Sequence, residues 1–362
     1  MSSTTGSGTP TAAPAGGPAR ERETPRSAAA APWSLIKRFL IAREGSIIVV
    51  TVLLTAYFSL TLSAFVSISN LHALLPYFAP FAILATGEVL LMINGEIDLS
   101  IGGVYLFAPY LYYELATAHI ALLPAVLISF AACALIGLVN GFFTMVVGIN
   151  SFITTLGTLF TLEGLTLIIS HALQVTAPGS QLSGSASGTT ISTFASVFGA
   201  GTYSELIWAV IIVAIMQVVL TRTRWGLHTI AVGSNRLGAA EAGVRVRLVV
   251  IRNFMVCSTL AGIVGILESV RTSSITPDPS GANLILLDAI AAAVIGGTLL
   301  VGGAGTVIGA LVGALFLGIL QDGLAIKGVG ADYLYFYLGV AIVLSMVINV
   351  YVGRVRRRSG IG

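Results

Sequence analysis

The sequence predicts an all-α integral membrane protein of about ten transmembrane helices. Three observations predict it. Of 362 residues, 56% are hydrophobic and only 9% are charged, whereas a soluble domain carries about 25% charged residues. Apolar runs close to the roughly 20 residues that a bilayer-spanning helix needs recur between residues 46 and 352. The Lys and Arg residues, finally, are gathered into three places, as expected when they flank spans on one side of a membrane.

Of the 18 basic residues, six lie near the N-terminus (Arg20, Arg22, Arg26, Lys37, Arg38, Arg43) and six between 221 and 252 (Arg222, Arg224, Arg236, Arg245, Arg247, Arg252). Four more form the tail (Arg354, Arg356, Arg357, Arg358), leaving Arg271 and Lys327. Basic residues beside span ends stay in the cytoplasm, so the N- and C-termini and the 221–252 loop are expected inside. An even number of spans must then lie on each side of that loop.

Residues 1–45 are expected to form a disordered cytoplasmic tail ending in an interfacial segment. Residues 1–32 hold Ser, Thr, Gly, Pro and Ala with scattered charge and no apolar run, too little to offset chain entropy. No signal peptide is expected, because the first apolar segment begins only near Ser46. Residues 33–44, WSLIKRFLIARE, fit an amphipathic helix on the membrane surface, or else a basic flank of the first span.

A single transmembrane domain is expected over 46–352. Six spans precede the basic loop, at about 46–66, 71–93, 98–117, 120–143, 152–170 and 205–220; four follow, at 253–271, 284–301, 304–323 and 333–352. Polar or Gly-rich sequence breaks the pattern at 94–100 and 296–305, and broken helices at membrane depth are tolerated only inside protein or beside a cavity. Residues 171–204 carry no Lys or Arg and are expected to be the main external loop, with 272–283 a second, rigid turn holding Pro277 and Pro279. Residues 353–362 form a basic cytoplasmic tail. Cys133 and Cys257 fall within apolar spans and are expected as buried thiols.

An internal repeat is also expected. Gly141, Gly148 and Gly157 recur at one constant offset as Gly323, Gly330 and Gly339, and Leu135 and Asn140 recur as Leu317 and Asp322. This equates spans four and five with nine and ten, which run in opposite senses. Inverted repeats of this kind are a common transporter design.

The 221–252 loop contains a short helical-looking segment, Asn235 to Val244, flanked by Gly233 and Gly243 and too polar to enter a bilayer. It is expected to be the docking point of a motor protein. Carboxylates inside spans are costly and face a cavity or a partner. Glu88, Asn94, Glu96, Asp98, Ser100, Asn140 and Glu163 are therefore candidates for a polar solute pathway. The competing reading makes them helix caps or interhelical hydrogen bonds, and is favoured for Asp98 because it precedes a span. For Glu88 and Glu163 both readings stay open.

Nothing in the chain resembles a catalytic centre, so no enzyme, and no cofactor held by this chain, is expected. The histidines (His72, His119, His171, His228) have no metal-ligand spacing, and no G-x-x-x-x-G-K-[ST] phosphate loop occurs. The run GGTLLVGGAG at 296–305 lacks strand–turn–helix context and reads as a close-packing or re-entrant feature. No nucleic-acid partner is expected.

Several of these segments, taken in order, resemble the permease subunits of bacterial ATP-binding-cassette sugar importers of the ribose/xylose/arabinose type. They are Gly95-Glu96-Ile97-Asp98-Leu99-Ser100-Ile101-Gly102; Asn140-Gly141 with Phe152-Ile153-Thr154-Thr155-Leu156-Gly157; Ala231-Val232-Gly233-Ser234-Asn235 with Ala239-Ala240 and Gly243-Val244; and Asp288 through Thr298 with Gly302-Gly303. The resemblance covers about 70–352. It implies a permease for a monosaccharide, a pentose such as ribose or xylose or a related polyol, in the bacterial cytoplasmic (inner) membrane. It further implies a second permease copy or paralogue, a cytoplasmic ATPase that uses ATP and Mg, a periplasmic or lipid-anchored sugar-binding protein, and surrounding membrane lipid. Gly233, Ser234, Asn235, Arg236, Ala239, Ala240, Gly243 and Val244 would then be the coupling helix. Glu96 departs from the glycine common in the family. An ion-coupled secondary transporter and a non-transporting receptor or scaffold are the alternatives.

Overall fold

The computed structural model describes residues 44–180, 188–201 and 203–358. The predicted tail over 1–45 falls almost wholly outside the described residues. Within them the chain is helical, and a single antiparallel bridge, Val175 to Ile275, is its only β-pairing. The helices are α1 (Gly45–Thr61), α2 (Ile68–Ile93), α3 (Ser100–Thr117), α4 (Leu122–Phe142, extended by a π-helical turn, Phe143–Val147) and α5 (Ser151–Ile169). Then follow α6 (Gly188–Val197), α7 (Ser204–Arg222), α8 (Arg224–Ser234), α9 (Arg236–Glu241), α10 (Val246–Thr272), α11 (Pro279–Ile295), α12 (Val307–Ile326) and α13 (Ala331–Arg358). Among the described residues, six helical stretches are long and apolar enough to cross a membrane: α2, α4 with its π-helical turn, α5, α7, α10 and α12.

Helix starts follow local chemistry. Ser67 accepts from the Asn70 amide at 3.2 Å, Asn150 from Phe152 at 2.9 Å and Thr306 from Gly309 at 2.8 Å. Asp278 accepts from the Ser280 amide at 3.0 Å, with Pro279 in the first helical position. Each cap satisfies a backbone donor that the helix itself leaves unpaired.

Burial sorts the helices. The most apolar stretch of α2 is 83% buried, against 28% for α4 and α5. A helix apolar all round belongs in the centre, and α2 lies there, against α7, α10, α11 and α12. Side chains such as Leu127, Leu135, Phe160 and Ile168 face outward from α4 and α5, as they would towards lipid. Between helices, where lipid provides no hydrophobic drive, small residues permit close approach. On α4, a methyl at Gly137 would lie 2.6 Å from Met255 Cα of α10, and one at Gly141 would lie 2.7 Å from Ile251 Cα.

Several sequence expectations are corrected. The predicted external loop contains α6, whose Phe194 stacks on Phe198 with ring centres 4.7 Å apart. The helix of the span expected at 253–271 starts at Val246, so the last part of the basic loop is helical. Its Arg252 extends over the Trp225 ring at 4.1 Å, a contact that composition does not reveal. The short helix expected at 235–244 is present as α9, and a further short helix, α8, precedes it. Thr223 starts α8 by capping the Gly226 amide, and Asn235 separates α9 from it by capping the Gly238 amide. The Gly-rich break spans 296–306, because α11 stops at Ile295 and α12 starts at Val307. Finally, α13 runs on to Arg358, into the predicted basic tail.

At the end of the bundle away from α8 and α9, the segments around 175 and 275 are tied together. Tyr110 Oη donates to Leu173 O at 2.9 Å and to Ile275 O at 3.1 Å, and Tyr112 Oη donates to Pro178 O at 2.8 Å.

The α4–α10 contact makes one prediction. Gly137→Ala is expected to cost about 1–3 kcal/mol through overpacking, seen as a lower unfolding temperature of the purified protein in detergent. Gly157→Ala, with nothing within 4 Å of the added methyl, should leave that temperature unchanged or raise it slightly through helix propensity.

Candidate functional site: the basic end of the helical bundle

Three stretches that the sequence keeps apart meet where α2 stops. They are the α2–α3 connection (94–99), the Gly-rich segment 296–306, and the α8–α9 pair. Stopping a helix inside protein leaves carbonyls without partners, and the three stretches supply donors to one another. Ile93 O accepts from the Gly303 amide at 2.8 Å, and Asn94 O accepts from Arg236 Nη2 at 2.8 Å. The chain must come very close to do this. A side chain at Gly233 would collide with Ile93 O, and Gly302, in the left-handed region at φ +89°, lies against Gly95.

Asn94 is at the centre of a buried polar knot. Its Nδ2 donates to Thr229 O of α8 at 2.8 Å, and its Oδ1 accepts from Asn253 Nδ2 of α10 at 2.7 Å. Asn253 Oδ1 in turn accepts from Trp225 Nε1 at 2.7 Å. Thr229 and Asn253 are fully buried. Two residues beyond Asn94, Glu96 forms an ion pair with Arg236 at the start of α9.

A second knot follows. Asp98 Oδ1 accepts from the Ser100 amide at 2.9 Å and from Ser100 Oγ at 2.5 Å, and Asp98 Oδ2 accepts from Ser258 Oγ of α10 at 3.2 Å. Ser100 Oγ also accepts from Asn140 Nδ2 of α4 at 2.8 Å, and Asn140 Oδ1 accepts from Thr158 Oγ1 of α5 at 2.7 Å. One carboxylate thus joins α3, α4, α5 and α10 in a chain of hydrogen bonds. In low dielectric such a network holds geometry only when its members are paired.

Of the predicted pathway residues, the structure brings Asp98, Ser100 and Asn140 together and places Asn94 and Glu96 beside them. Glu88 is fully buried in α2, where Cys257 of α10 lies 3.6 Å from Oε1. Glu163 stands apart, its Oε1 accepting from Asn283 Nδ2 of α11 at 2.9 Å. Of the predicted coupling residues, Gly233 and Ser234 close α8, Asn235 caps α9, Arg236, Ala239 and Ala240 lie in α9, and Gly243 and Val244 lie between α9 and α10. Sequence reading passed over Thr229, Asn253 and Ser258. The available signal was an amide or a hydroxyl within an otherwise apolar run.

Towards the opposite end, a cavity of about 250 Å³ opens between α3, α10 and α11, lined in part by Tyr105, Glu268, Thr272, Ser274, Thr276 and Asp278. Nearby, Arg271 forms a two-point pair with Glu268 and lies 3.2 Å from Glu205. Among the described residues, no three His, Cys, Asp or Glu side chains gather into a metal site.

Residues 70–346 match the family described as "Branched-chain amino acid transport system / permease component". The chain belongs to this permease family. Its relatives include the xylose/arabinose import permease protein XylH of Sulfolobus acidocaldarius, 35% identical over 332 residues, covering 89% of this chain and 87% of that protein. The ribose import permease protein RbsC of Escherichia coli is 30% identical over 324 residues, 88% of this chain and 94% of that one. The galactose/methyl galactoside import permease protein MglC of the same organism is 31% identical over 325 residues, 85% and 94% of the two chains. No solved structure matches. Family and apolar helices together make the chain a multi-pass membrane permease, and the resemblance drawn from its motifs to sugar-importer permeases is upheld by these relatives.

The first knot yields a prediction. Asn253→Ala leaves Asn94 Oδ1 and Trp225 Nε1 without their partner, and an unsatisfied buried polar group costs about 1–3 kcal/mol. The expected outcome is a lower unfolding temperature in detergent, with faster tryptic cleavage at Arg222 or Arg224 as α8 loosens.

Proposed function

We propose that this chain is the membrane subunit of an ATP-binding-cassette importer that brings a monosaccharide, a pentose such as ribose or xylose or a related polyol, into the cytoplasm. The observation that carries the reading is the α8–α9 pair, a polar helical platform standing on the basic end of a bundle whose relatives are sugar import permeases over 85–89% of this chain. Leu227 and Leu237 on this platform are 65% and 71% exposed, as apolar side chains are when a partner covers them. The partner is a cytoplasmic ATPase, which binds and hydrolyses ATP with Mg; this chain binds neither. A second permease copy or a paralogue completes the membrane unit, and a periplasmic or lipid-anchored sugar-binding protein delivers the solute.

In this reading all ten of α1–α5, α7 and α10–α13 cross the cytoplasmic membrane, both termini and α8–α9 lie inside, and the segments near 175 and 275 receive the binding protein. The helices form an inverted repeat, α1–α5 against α7 and α10–α13. Packing supports this. The main partner of α4 is α10 and that of α12 is α2, and superposing the halves would exchange these pairs. The same exchange relates the α3–α5 contact to the α11–α13 contact.

Solute enters at the cavity beside Tyr105, Thr272 and Thr276. It passes along the seam of α3, α10 and α11, where Asp98, Ser100 and Asn140 are reached when the seam opens, with Glu88 and Asn94 behind them and Glu163 at its flank. ATP binding closes the motor and drives the halves between outward and inward openings, since only differential affinity for two states can move such an equilibrium. An ion-coupled carrier would instead use Glu88, Glu96 and Glu163 as titrating groups. Uptake by the permease alone, in liposomes under a proton gradient, would select that reading.

The platform is tested by Leu237→Asp. The variant should fold and reach the membrane while its ATPase co-purification falls at least roughly tenfold, the loss expected when an anchor side chain is removed from an interface. Undiminished co-purification would overturn the docking role. The two native cysteines are buried, so a cysteine at Gly243 should react with impermeant maleimide only in inside-out vesicles. Labelling from outside intact cells would overturn the topology.

A further inference from the structure

The α9 helix is too small to carry motion by itself. It has six residues, and among them only Ala239 is buried. If a partner pushed on it, α9 would rock on its flanking turns unless something tied it to the bundle. Arg236 is that tie. Its guanidinium donates to Asn94 O at 2.8 Å and pairs with the Glu96 carboxylate, so it grips two points of the α2–α3 connection.

We propose that Arg236 and Glu96 form a clasp that turns displacement of α9 into displacement of the α2–α3 connection, and so of the bundle interior. The proposal rests on the reading of α8–α9 as the ATPase platform and adds to it the route by which force passes inward. Both residues act as positioning residues, and neither touches sugar or nucleotide.

Magnitudes decide between a stabilising and a transmitting role. The Arg236 side chain is 45% exposed and that of Glu96 10%. Pairs with one solvated partner contribute little to stability. What the arginine adds is geometry: both contacts are made by Nη2, whose two N–H groups are held in the guanidinium plane and so fix the two acceptors relative to each other, whereas the freely rotating ammonium of lysine does not. Beyond the clasp the connection has little slack. Asn94 is tied to α8 and α10, and Asp98, two residues past Glu96, is tied to α10 and, through Ser100, to α4 and α5. A shift of Glu96 must move these ties or break them. The carboxylate of Glu96, a candidate for the solute pathway, is engaged by Arg236 in this structure.

Spatial continuity alone is not coupling, so the test is a charge-exchange cycle in the complete transporter. Permease, its ATPase and its binding protein are reconstituted in proteoliposomes, with radiolabelled D-xylose and D-ribose as the sugars. Sugar uptake, binding-protein-stimulated ATP hydrolysis and ATPase co-purification are read for the wild type, Glu96→Gln, Arg236→Glu, Arg236→Lys, and the exchange of Glu96→Arg with Arg236→Glu. Glu96→Gln, which keeps size and hydrogen-bonding capacity, should hold the ATPase as the wild type does. Its uptake, and the stimulation of hydrolysis by binding protein, should fall roughly five- to tenfold, within the range of allosteric coupling factors. The exchange should recover at least half of the wild-type stimulation, and Arg236→Lys should fall between the wild type and Glu96→Gln.

Wild-type coupling in Glu96→Gln overturns the clasp. So does an exchange no better than Arg236→Glu when Arg236→Lys also matches the wild type. Loss of ATPase binding in Glu96→Gln likewise overturns it, by making the pair part of the docking surface. Failure of the platform itself appears separately, as ATPase retained by Leu237→Asp.

Discussion

Where a helix stops inside a membrane protein, the carbonyls it leaves behind cannot turn to water. In this chain α2, the most buried helix, stops at Ile93, and the free carbonyls of Ile93 and Asn94 set the arrangement of the basic end. Their donors come from more than 130 residues away in sequence, the Gly303 amide and the Arg236 guanidinium. Meeting that demand brings the Gly-rich segment, the α8–α9 pair and the α2–α3 connection into contact. It also explains the close-approach glycines there, since a Cβ at Gly233 would displace the carbonyl being capped.

The same demand accounts for the polar residues of the interior. Asn94, Thr229 and Asn253 bond to one another and to backbone, and Asp98, Ser100, Ser258, Asn140 and Thr158 form a second closed set. A buried network with its members paired rigidifies the elements that carry it, whereas one missing partner is expensive. These residues therefore define how α2, α3, α4, α5 and α10 stand relative to one another before any solute arrives. Under the proposed clasp, a displacement of α9 would therefore reach several helices through the α2–α3 connection.

The helices themselves were largely legible. Apolar runs and caps such as Ser67, Asn150 and Thr306 mark them, because helix formation and capping are decided within a few residues. The two breaks were legible too, as polar or glycine-rich interruptions of apolar sequence. Boundaries set by tertiary contact were not. Val246 to Arg252 reads as basic loop, yet it is helix, with Arg252 resting on Trp225. The 171–204 segment reads as polar linker, yet it holds α6, whose Phe194 stacks on Tyr112 and on Phe198, and Phe198 in turn packs against Trp208. Asp98 accepts from the Ser100 amide just as the helix starts, a local use that a carboxylate in this place suggests, while its bond to Ser258 is not local.

By itself the sequence determined that this protein is helical and membrane-embedded, that its family is that of transport permeases, and that the basic segment near 235 is set apart from the bundle. Those properties follow from composition, periodicity and short motifs, each of which acts over a turn or two of chain. Only the tertiary structure decided that Glu96 belongs with Arg236, that Asn94 meets Asn253, and that the segment after Ile295 covers the end of α2. Pairings across such separations depend on which buried polar groups are left without partners once the helices have packed, and no local pattern encodes that remainder.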